Sequence, residues 1–327
     1  MKSNKRSFTL WGLVEVGCVL AGVATVLGFG GRAWWLLELA THFRVHLGTV
    51  LLAGAILWVW RRRWGWVLAC SVGVVFNLVM VGPQFFGRDA VPLGGTPIRV
   101  VSLNVRTENL RSDLVLKFLR DADADIVLLM EVDERWWREL GPLKSIYTNH
   151  IAELRADNFG IVLLSRLAWT NAAIFEIGEA EIPSVVADVS VGAGVVHVLG
   201  THALPPGSAN EARLRNQQFK QIANHGRQRV GPVVVVGDLN TTPWSPRFAD
   251  LLENNKLRDA SKGFGLGGSW PTFLPVGRIP IDHCLLSPEV RVVNKRYGPQ
   301  VGSDHLPVLL ELVVKGSAAQ PSNGNAP

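Results

Sequence analysis

Residues 232–240 read Pro-Val-Val-Val-Val-Gly-Asp-Leu-Asn. Four consecutive β-branched residues favour an extended strand. None of the four is polar, so neither face of that strand is suited to water. A strand buried on both faces belongs inside a layered α/β domain rather than at the surface of a one-sided sheet. Gly237 punctuates the run. Asp238 and Asn240 follow it two positions apart, which in an extended chain points both side chains to the same side.

The pattern repeats outward in both directions. Upstream, residues 126–130 are a second all-apolar run, followed directly by Glu131. Residues 98–105 read as a strand with Asn104 near its end, and 110–120 as a helix with apolar residues at 110, 114, 116 and 119. Further strands fall at 160–164, 184–189 and 195–199, the last with His202 three residues on. Residues 211–229 form a polar helix rich in Arg and Gln. Downstream, Ser245-Pro246 is an N-cap with proline at the first helical position. Strands at 281–286, 290–295 and 306–314 complete the series, with Asp282 in the first and Asp304-His305 ahead of the last. The tail, 316–327, is rich in Ser, Asn, Gly, Ala and Pro and is expected to be disordered.

The first third has a different composition. The chain has 327 residues, 48% hydrophobic and 18% charged, with 33 Lys+Arg against 27 Asp+Glu. That balance excludes bulk disorder, and a mean hydropathy of +0.21 is high for a purely soluble enzyme. Residues 1–96 hold 9 Lys/Arg and 3 Asp/Glu, whereas 97–327 hold 24 of each. The net +6 therefore sits in the first third. The remainder lacks the positive excess of a generic nucleic-acid surface. Three cysteines, Cys18, Cys70 and Cys284, form no zinc spacing.

Three apolar stretches predict membrane spans at 8–29, 41–60 and 65–84. The second borrows from 33–43 and admits Arg44 near one end. Trp34, Trp35, Trp58, Trp60, Trp64 and Trp66 cluster at the boundaries, as interfacial aromatics do. A cleaved signal peptide is the rival for the first stretch, but its apolar run is long and more apolar segments follow. Lys2, Lys5 and Arg6 lie on the same side as Arg61, Arg62 and Arg63 if there are three spans. The positive-inside bias makes that side cytoplasmic, so the rest of the chain faces away from the cytoplasm. The predicted organisation is an anchor over 1–87, a Gly/Pro-rich linker over 88–96, and a catalytic domain over 97–315.

Acid, amide and imidazole groups at the ends of strands converge on one edge of an α/β sheet, where ligands bind. Glu131 and Asp304 offer hard oxygen ligands and Asn104 a neutral one, a set suited to Mg²⁺ or Mn²⁺ bound with a substrate phosphate. Of Asp238 and Asn240, one can take a proton from water while the other donates to an oxyanion. Asp282 can fix the His305 tautomer and favour its imidazolium. His202 is a further donor toward developing charge. The chain has no Gly-x-Ser-x-Gly elbow, phosphate-binding Gly-Lys-Ser/Thr loop or His-Glu-x-x-His.

These segments, in order, resemble the endonuclease/exonuclease/phosphatase superfamily, which includes exonuclease III-like repair nucleases, deoxyribonuclease I, neutral sphingomyelinases and inositol polyphosphate phosphatases. The resemblance is carried by Ser-Leu-Asn-Val at 102–105, Leu-Leu-Met-Glu-Val at 128–132 and Asn-Phe-Gly-Ile-Val-Leu-Leu-Ser-Arg at 158–166. It continues with Gly-Asp-Leu-Asn at 237–240, Ile-Asp-His-Cys-Leu at 281–285 and Gly-Ser-Asp-His-Leu-Pro-Val at 302–308. It implies a four-layer α/β/β/α sandwich and Mg²⁺-dependent hydrolysis of a phosphoester. By position it implies that Glu131 binds the metal with Asn104 and Asp304 nearby, and that Asn240 and His202 hold the phosphate. Asp238 positions or deprotonates the water, and His305 paired with Asp282 stabilises or protonates. The base is either Asp238 or His305. Arg106 departs from the acidic residue some nucleases of the group carry there, which puts a second metal in doubt and implies a phosphate contact instead. Trp270, in Trp-Pro-Thr-Phe at 270–273, is expected to touch substrate, by stacking on a base or meeting a lipid surface.

Three functions fit this reading. The first is a membrane-tethered, metal-dependent phosphodiesterase or phosphatase with lipid head groups in reach. The second is a nuclease acting on DNA or RNA. The third, a non-enzymatic membrane protein that kept the fold, is opposed by the intact acidic and imidazole set.

Overall fold

A computed structural model describes residues 9–88, 90 and 94–315, with the side chains of 254 and 255 excepted. The predicted tail and part of the linker lie outside the described residues. The N-terminal third is helical: α1 (Leu10–Leu27), α2 (Trp35–Thr41), α3 (Arg44–Trp60) and α4 (Trp64–Val81). Helices α1, α3 and α4 pack through Cys18, Ala21, Leu51, Ala55, Trp58 and Cys70, leaving large apolar side chains on their outer surfaces. Leu10–Gly30 and Trp64–Phe85 are each long and apolar enough to cross a membrane, and α2 with α3 forms a third candidate bent by 61°.

The predicted second span, 41–60, is thus α3 with a break at His42–Phe43 at its start, and the apolar stretch before it forms the separate helix α2. The physical reason is polar. Glu38 of α2 is recruited by the rest of the protein, and Arg44 stays at the end of the bundle. There Arg44 donates to the Thr25 carbonyl at 2.7 Å and lies 4.6 Å from the Phe29 ring centroid, a cation at the C-terminal end of α1. At the far end of the bundle, Arg61 stacks over Trp11 at 4.5 Å, so the start of α1 and the 61–63 turn share one side.

Residues 96–314 build two six-stranded sheets. The first contains β1 (Thr96–Asn104), β2 (Ile126–Met130), β3 (Asn149–Glu153), β4 (Ile161–Ser165), β11 (Val290–Tyr297) and β12 (Val308–Val314), in the order β11-β12-β1-β2-β4-β3. The second contains β5 (Trp169–Ile177), β6 (Ile182–Val191), β7 (Gly194–His202), β8 (Val233–Asp238), β9 (Arg258–Asp259) and β10 (Asp282–Leu286), in the order β5-β6-β7-β8-β10-β9. Each has one parallel pair at its centre, β1 with β2 and β7 with β8.

Alternation along each central strand explains the all-apolar runs. Ile126, Leu128 and Met130 face Val234, Val236 and Cys284 in the core between the sheets. Val127 and Leu129 point outward to α5 (Ser112–Ala122) and α6 (Glu134–Glu139), where Val115, Leu119 and Trp136 cover them. Val233 and Val235 point outward to α7 (Ala209–Gln228) and α8 (Pro246–Asn255), under Phe219, Ile222 and Phe248. The result is the expected four-layer sandwich. The predicted cap of α8 is present, with Ser245 Oγ accepting from the Arg247 amide at 3.1 Å.

Candidate active site

Register puts three functional side chains in a row. Asp238 ends β8, His202 is its partner across the parallel β7, and Asp282 is its partner across the antiparallel β10. Cross-strand partners share a face, and the inward alternation of Val234 and Val236 continues to Asp238. Gly237 makes the row possible. A Cβ there would lie 1.8 Å from the Thr201 carbonyl oxygen, and its φ of +147° suits glycine.

The first sheet supplies the opposite side. Asn104 ends β1 and Glu131 follows β2. Asp304 and His305 precede β12, in a loop held by Ser303, whose hydroxyl donates to the Asn104 carbonyl at 2.7 Å and accepts from the His305 amide at 3.0 Å. The Asp238 amide contacts Met130 Sδ at 3.1 Å, tying the ends of the two sheets together. Glu131, at φ 61°, and Asn240, at φ 48°, hold non-glycine residues in the left-handed region, a strain that clusters at functional sites.

Asp238, Asp282 and His305 form a buried charge network. His305 Nδ1 lies 2.8 Å from Asp282 Oδ2, while its Nε2 lies 3.7 Å from Asp238 Oδ2. His202 Nε2 approaches the same Asp238 oxygen at 3.6 Å. The Asn240 amide donates to Asp238 Oδ1 at 2.8 Å, and the Asn240 side chain is held by the Ala203 carbonyl at 2.8 Å. Burial alone would push the His305 imidazole down. The Asp282 charge and hydrogen bond outweigh it, with Asp238 and Asp304 adding, and the group is pushed up to about 10. Burial and the Asp282 charge push Asp238 up to about 8, against the pull of His305. Burial opposes ionisation of Asp282 too, but His305 holds it below the usual carboxylate range. His202 is pushed down to about 4 by burial and then by the His305 charge.

Two donor sets come into question for a divalent cation. Asp238, Asp282 and His305 each offer a ligand atom within 4.8 Å of the others. That set already contains its own cation, the imidazolium bonded to Asp282. Glu131 with Asp304 fits better, both offering oxygen, as a hard cation prefers. Asn104 turns its amide nitrogen to Glu131 and its Oδ1 to the Arg106 amide and so, against expectation, orients Glu131 without being a ligand itself. Burial pushes the Glu131 carboxyl up and the Asp304 charge adds to this, against hydrogen bonds from Asn104 at 2.7 Å and the Thr107 amide at 3.3 Å. A cation there would relieve both the desolvation and the repulsion.

Glu131, His202, Asp238, Asn240, Trp270, Asp304 and His305 all line one cavity of about 560 Å³. Asn104 and Asp282 stand behind Glu131 and His305, each 1% exposed. The Trp270 indole donates to Asp304 Oδ2 at 3.1 Å. Arg106 departs from expectation. Its φ of 60° and the Trp136 indole bound to its carbonyl turn its side chain outward, where Nε donates to Glu108 at 3.2 Å, and it does not line the cavity. Only its amide serves the site, donating to Asn104 Oδ1 at 3.0 Å.

A model described as the endonuclease/exonuclease/phosphatase family matches residues 101–305, the span from β1 to the last site histidine. The chain belongs to the endonuclease/exonuclease/phosphatase family. A crystallised family protein from Bacteroides vulgatus is 22% identical, covers 67% of this chain and all of its own, and superimposes with a TM-score of 0.58. Beta toxin from Staphylococcus aureus is 20% identical over 65% of this chain and 99% of its own, with a TM-score of 0.51. These likenesses establish the fold of the family domain. Phospholipase C of Staphylococcus aureus is 32% identical over 72 residues, a match covering 20% of this chain and 22% of that protein.

Sequence reasoning missed part of the cavity. Leu39, His42 and Phe43, from α2 and the break after it, line it alongside residues of the family domain. A signal existed: Glu38 and His42, four residues apart, interrupt an otherwise apolar stretch on one helical face. Asp157, Asn158 and Phe159 also reach the cavity. Asn158 and Phe159 open the quoted 158–166 segment, which carried no assigned role, and Asp157 directly precedes it.

Proposed function

We propose that this protein is a membrane-tethered, divalent-metal-dependent phosphoesterase that cleaves a phosphodiester by attack of an activated water. The observation that carries this reading is the convergence of Glu131, Asp238, Asp304, His202 and His305 on a single cavity from four separate stretches of chain. Glu131 and Asp304 would hold Mg²⁺ or Mn²⁺, with Asn104 orienting Glu131. When bound, the metal supplies Lewis-acid neutralisation of charge on the phosphate.

The residues divide the remaining work by charge. Asp238 is the proton acceptor, since His305, paired to Asp282, already carries a proton. Water attacks phosphorus as its proton passes to Asp238. The ester P–O bond breaks, and the departing oxygen takes a proton from His305. One proton is taken and one given, so the Asp238–His305 pair is reset by a single transfer across their 3.7 Å gap. Asn240 and His202, the latter neutral, donate toward the phosphoryl oxygens. Trp270 borders the substrate and fixes Asp304. The helices of the first third cross a bilayer, with the 61–63 turn cytoplasmic and the family domain on the other side.

The test is turnover by the full chain in detergent with Mg²⁺ or Mn²⁺, against phospholipid and sphingomyelin, DNA, RNA and a generic phosphodiester. Metal-dependent cleavage that is lost in Asp304→Ala is expected. A folded protein that cleaves none of them, or cleaves equally with chelator present, overturns the proposal. Cleavage of DNA or RNA alone would make it a nuclease.

A further inference from the structure

The cavity at Asp238 has one wall that the family domain does not supply. Leu39, His42 and Phe43 form it, in the segment where the helix axis turns by 61°. This segment is fastened at several points. Glu38 pairs with Arg215 of α7 at 2.6 Å, with both side chains almost wholly buried, and accepts from Ser245 Oγ at 2.7 Å. His42 Nδ1 lies 3.1 Å from Thr242 Oγ1, two residues after Asn240. His46 Nε2 lies 3.0 Å from the Val276 carbonyl. The buried Glu38–Arg215 pair fixes one arrangement, because separating it strands a desolvated charge. The helical third is thus built into the site and is more than a leash.

The cavity has two chemical halves. Charged and polar groups gather around Asp238. Leu39, Phe43, Phe159, Trp270, Ile279 and Ile281 make the remainder apolar. A phosphate or sugar gains nothing from such surface, whereas a hydrocarbon chain does. The apolar character continues outside. Phe273, Leu274 and Val276 are 75%, 48% and 85% exposed, in the loop that His46 holds at the start of α3. Leu36 and Trp34, at the start of α2, are also exposed. Phe43 of the cavity wall lies 5.7 Å from the His46 ring, and His46 holds Val276, so an apolar track joins the exposed 273–276 loop at the start of α3 to the catalytic cavity.

We propose that the helical third completes the active site, and that its Leu39–Phe43 wall admits a bilayer-resident lipid phosphodiester sideways from the membrane. The phosphate reaches Asp238 while hydrocarbon stays against Leu39 and Phe43, and the 273–276 loop rests in the interface. This rests on the phosphodiesterase and membrane-span readings above. The occupant is a lipid because the track begins at the start of α3, a helix that itself sits in hydrocarbon.

The test uses the full chain in lipid nanodiscs containing a phosphatidylcholine with a diazirine on its acyl chain near the glycerol. After irradiation, label is expected on Leu39 or Phe43 and on the facing Ile279–Ile281 segment. Label confined to the outer faces of α1, α3 and α4 overturns the proposal. Because labelling needs no turnover, it reports on entry even if the phosphodiesterase reading fails. Kinetics give a second arm. Leu39→Ala and Phe43→Ala are expected to lower the kcat/KM ratio of long-chain over short-chain lipid with one head group by about tenfold, mainly through KM. Phe43→Leu should restore the ratio. An equal loss on both lipids, or cleavage of nucleic acid in place of any lipid, also overturns it.

Discussion

Asp238 has its oxygens shared among an amide, two imidazoles and the neighbouring Asp282 field. Replacing it by Asn keeps the shape and removes the proton acceptor, so kcat is expected to fall by about 100-fold or more, the usual worth of a general base. Steady-state rates on whichever phosphodiester is cleaved check this, and a loss below about fivefold would contradict the assignment. Its carboxyl is pushed up to about 8, so activity should rise with pH toward a limb near that value. A flat profile between pH of about 6 and 9 would oppose it. His202 carries a separate consequence. Held down to about 4 from an ordinary 6.5, it binds a proton less readily folded than unfolded. Stability is therefore full above 6.5 and falls as pH drops toward about 4. In His202→Gln, thermal unfolding should depend less steeply on pH across that window. At this scale most of the site was readable, because Glu131, Asp238 and His202 each follow an apolar strand directly or nearly so. Arg106 was not, since a positive φ redirected its side chain, and no composition or spacing reports a backbone angle.

At the scale of elements, the central strands β1, β2, β4, β7, β8, β10 and β12 were legible as apolar runs, because both of their faces are buried. The strands β3, β5 and β9 were missed, and all three are sheet edges. An edge strand has part of its surface in water, so its sequence is mixed: only Ile177 of β5 is buried. Helix α2 escaped notice for the opposite reason, being apolar enough to merge with a span. Its Glu38–Arg215 pair yields a prediction. Glu38→Ala leaves Arg215 buried and uncompensated, which costs about 3 kcal/mol or more. The detergent-solubilised chain should unfold at a clearly lower temperature, and Glu38→Leu with Arg215→Met should regain part of the loss. Gly237→Ala makes a backbone collision at the β7–β8 pairing, so it should abolish folding or activity altogether, as expression and rate measurements would show.

The whole molecule is a helical bundle and a sandwich joined by buried polar contacts. The charge asymmetry between the two parts was plain in the sequence, and so was the sandwich, through its six ordered motifs. Their mutual packing was not, because contacts such as His42 with Thr242 span 200 residues and leave no local pattern. The proposed orientation predicts that an alkaline phosphatase fused after residue 315 is active and a cytoplasm-only reporter at the same point is silent. The reverse result would turn the molecule over in the membrane. The central claim is water attack at phosphorus by the Asp238 site, and oxygen isotope tracing tests it most directly. Full-length protein would turn over its best phosphodiester in ¹⁸O-enriched water with Mg²⁺, with the products read by ³¹P NMR and mass spectrometry. The account predicts ¹⁸O in the phosphoryl product, with turnover lost on chelation and in Asp238→Asn. Label in the released alcohol, or turnover indifferent to both chelation and the Asp238 replacement, would contradict it.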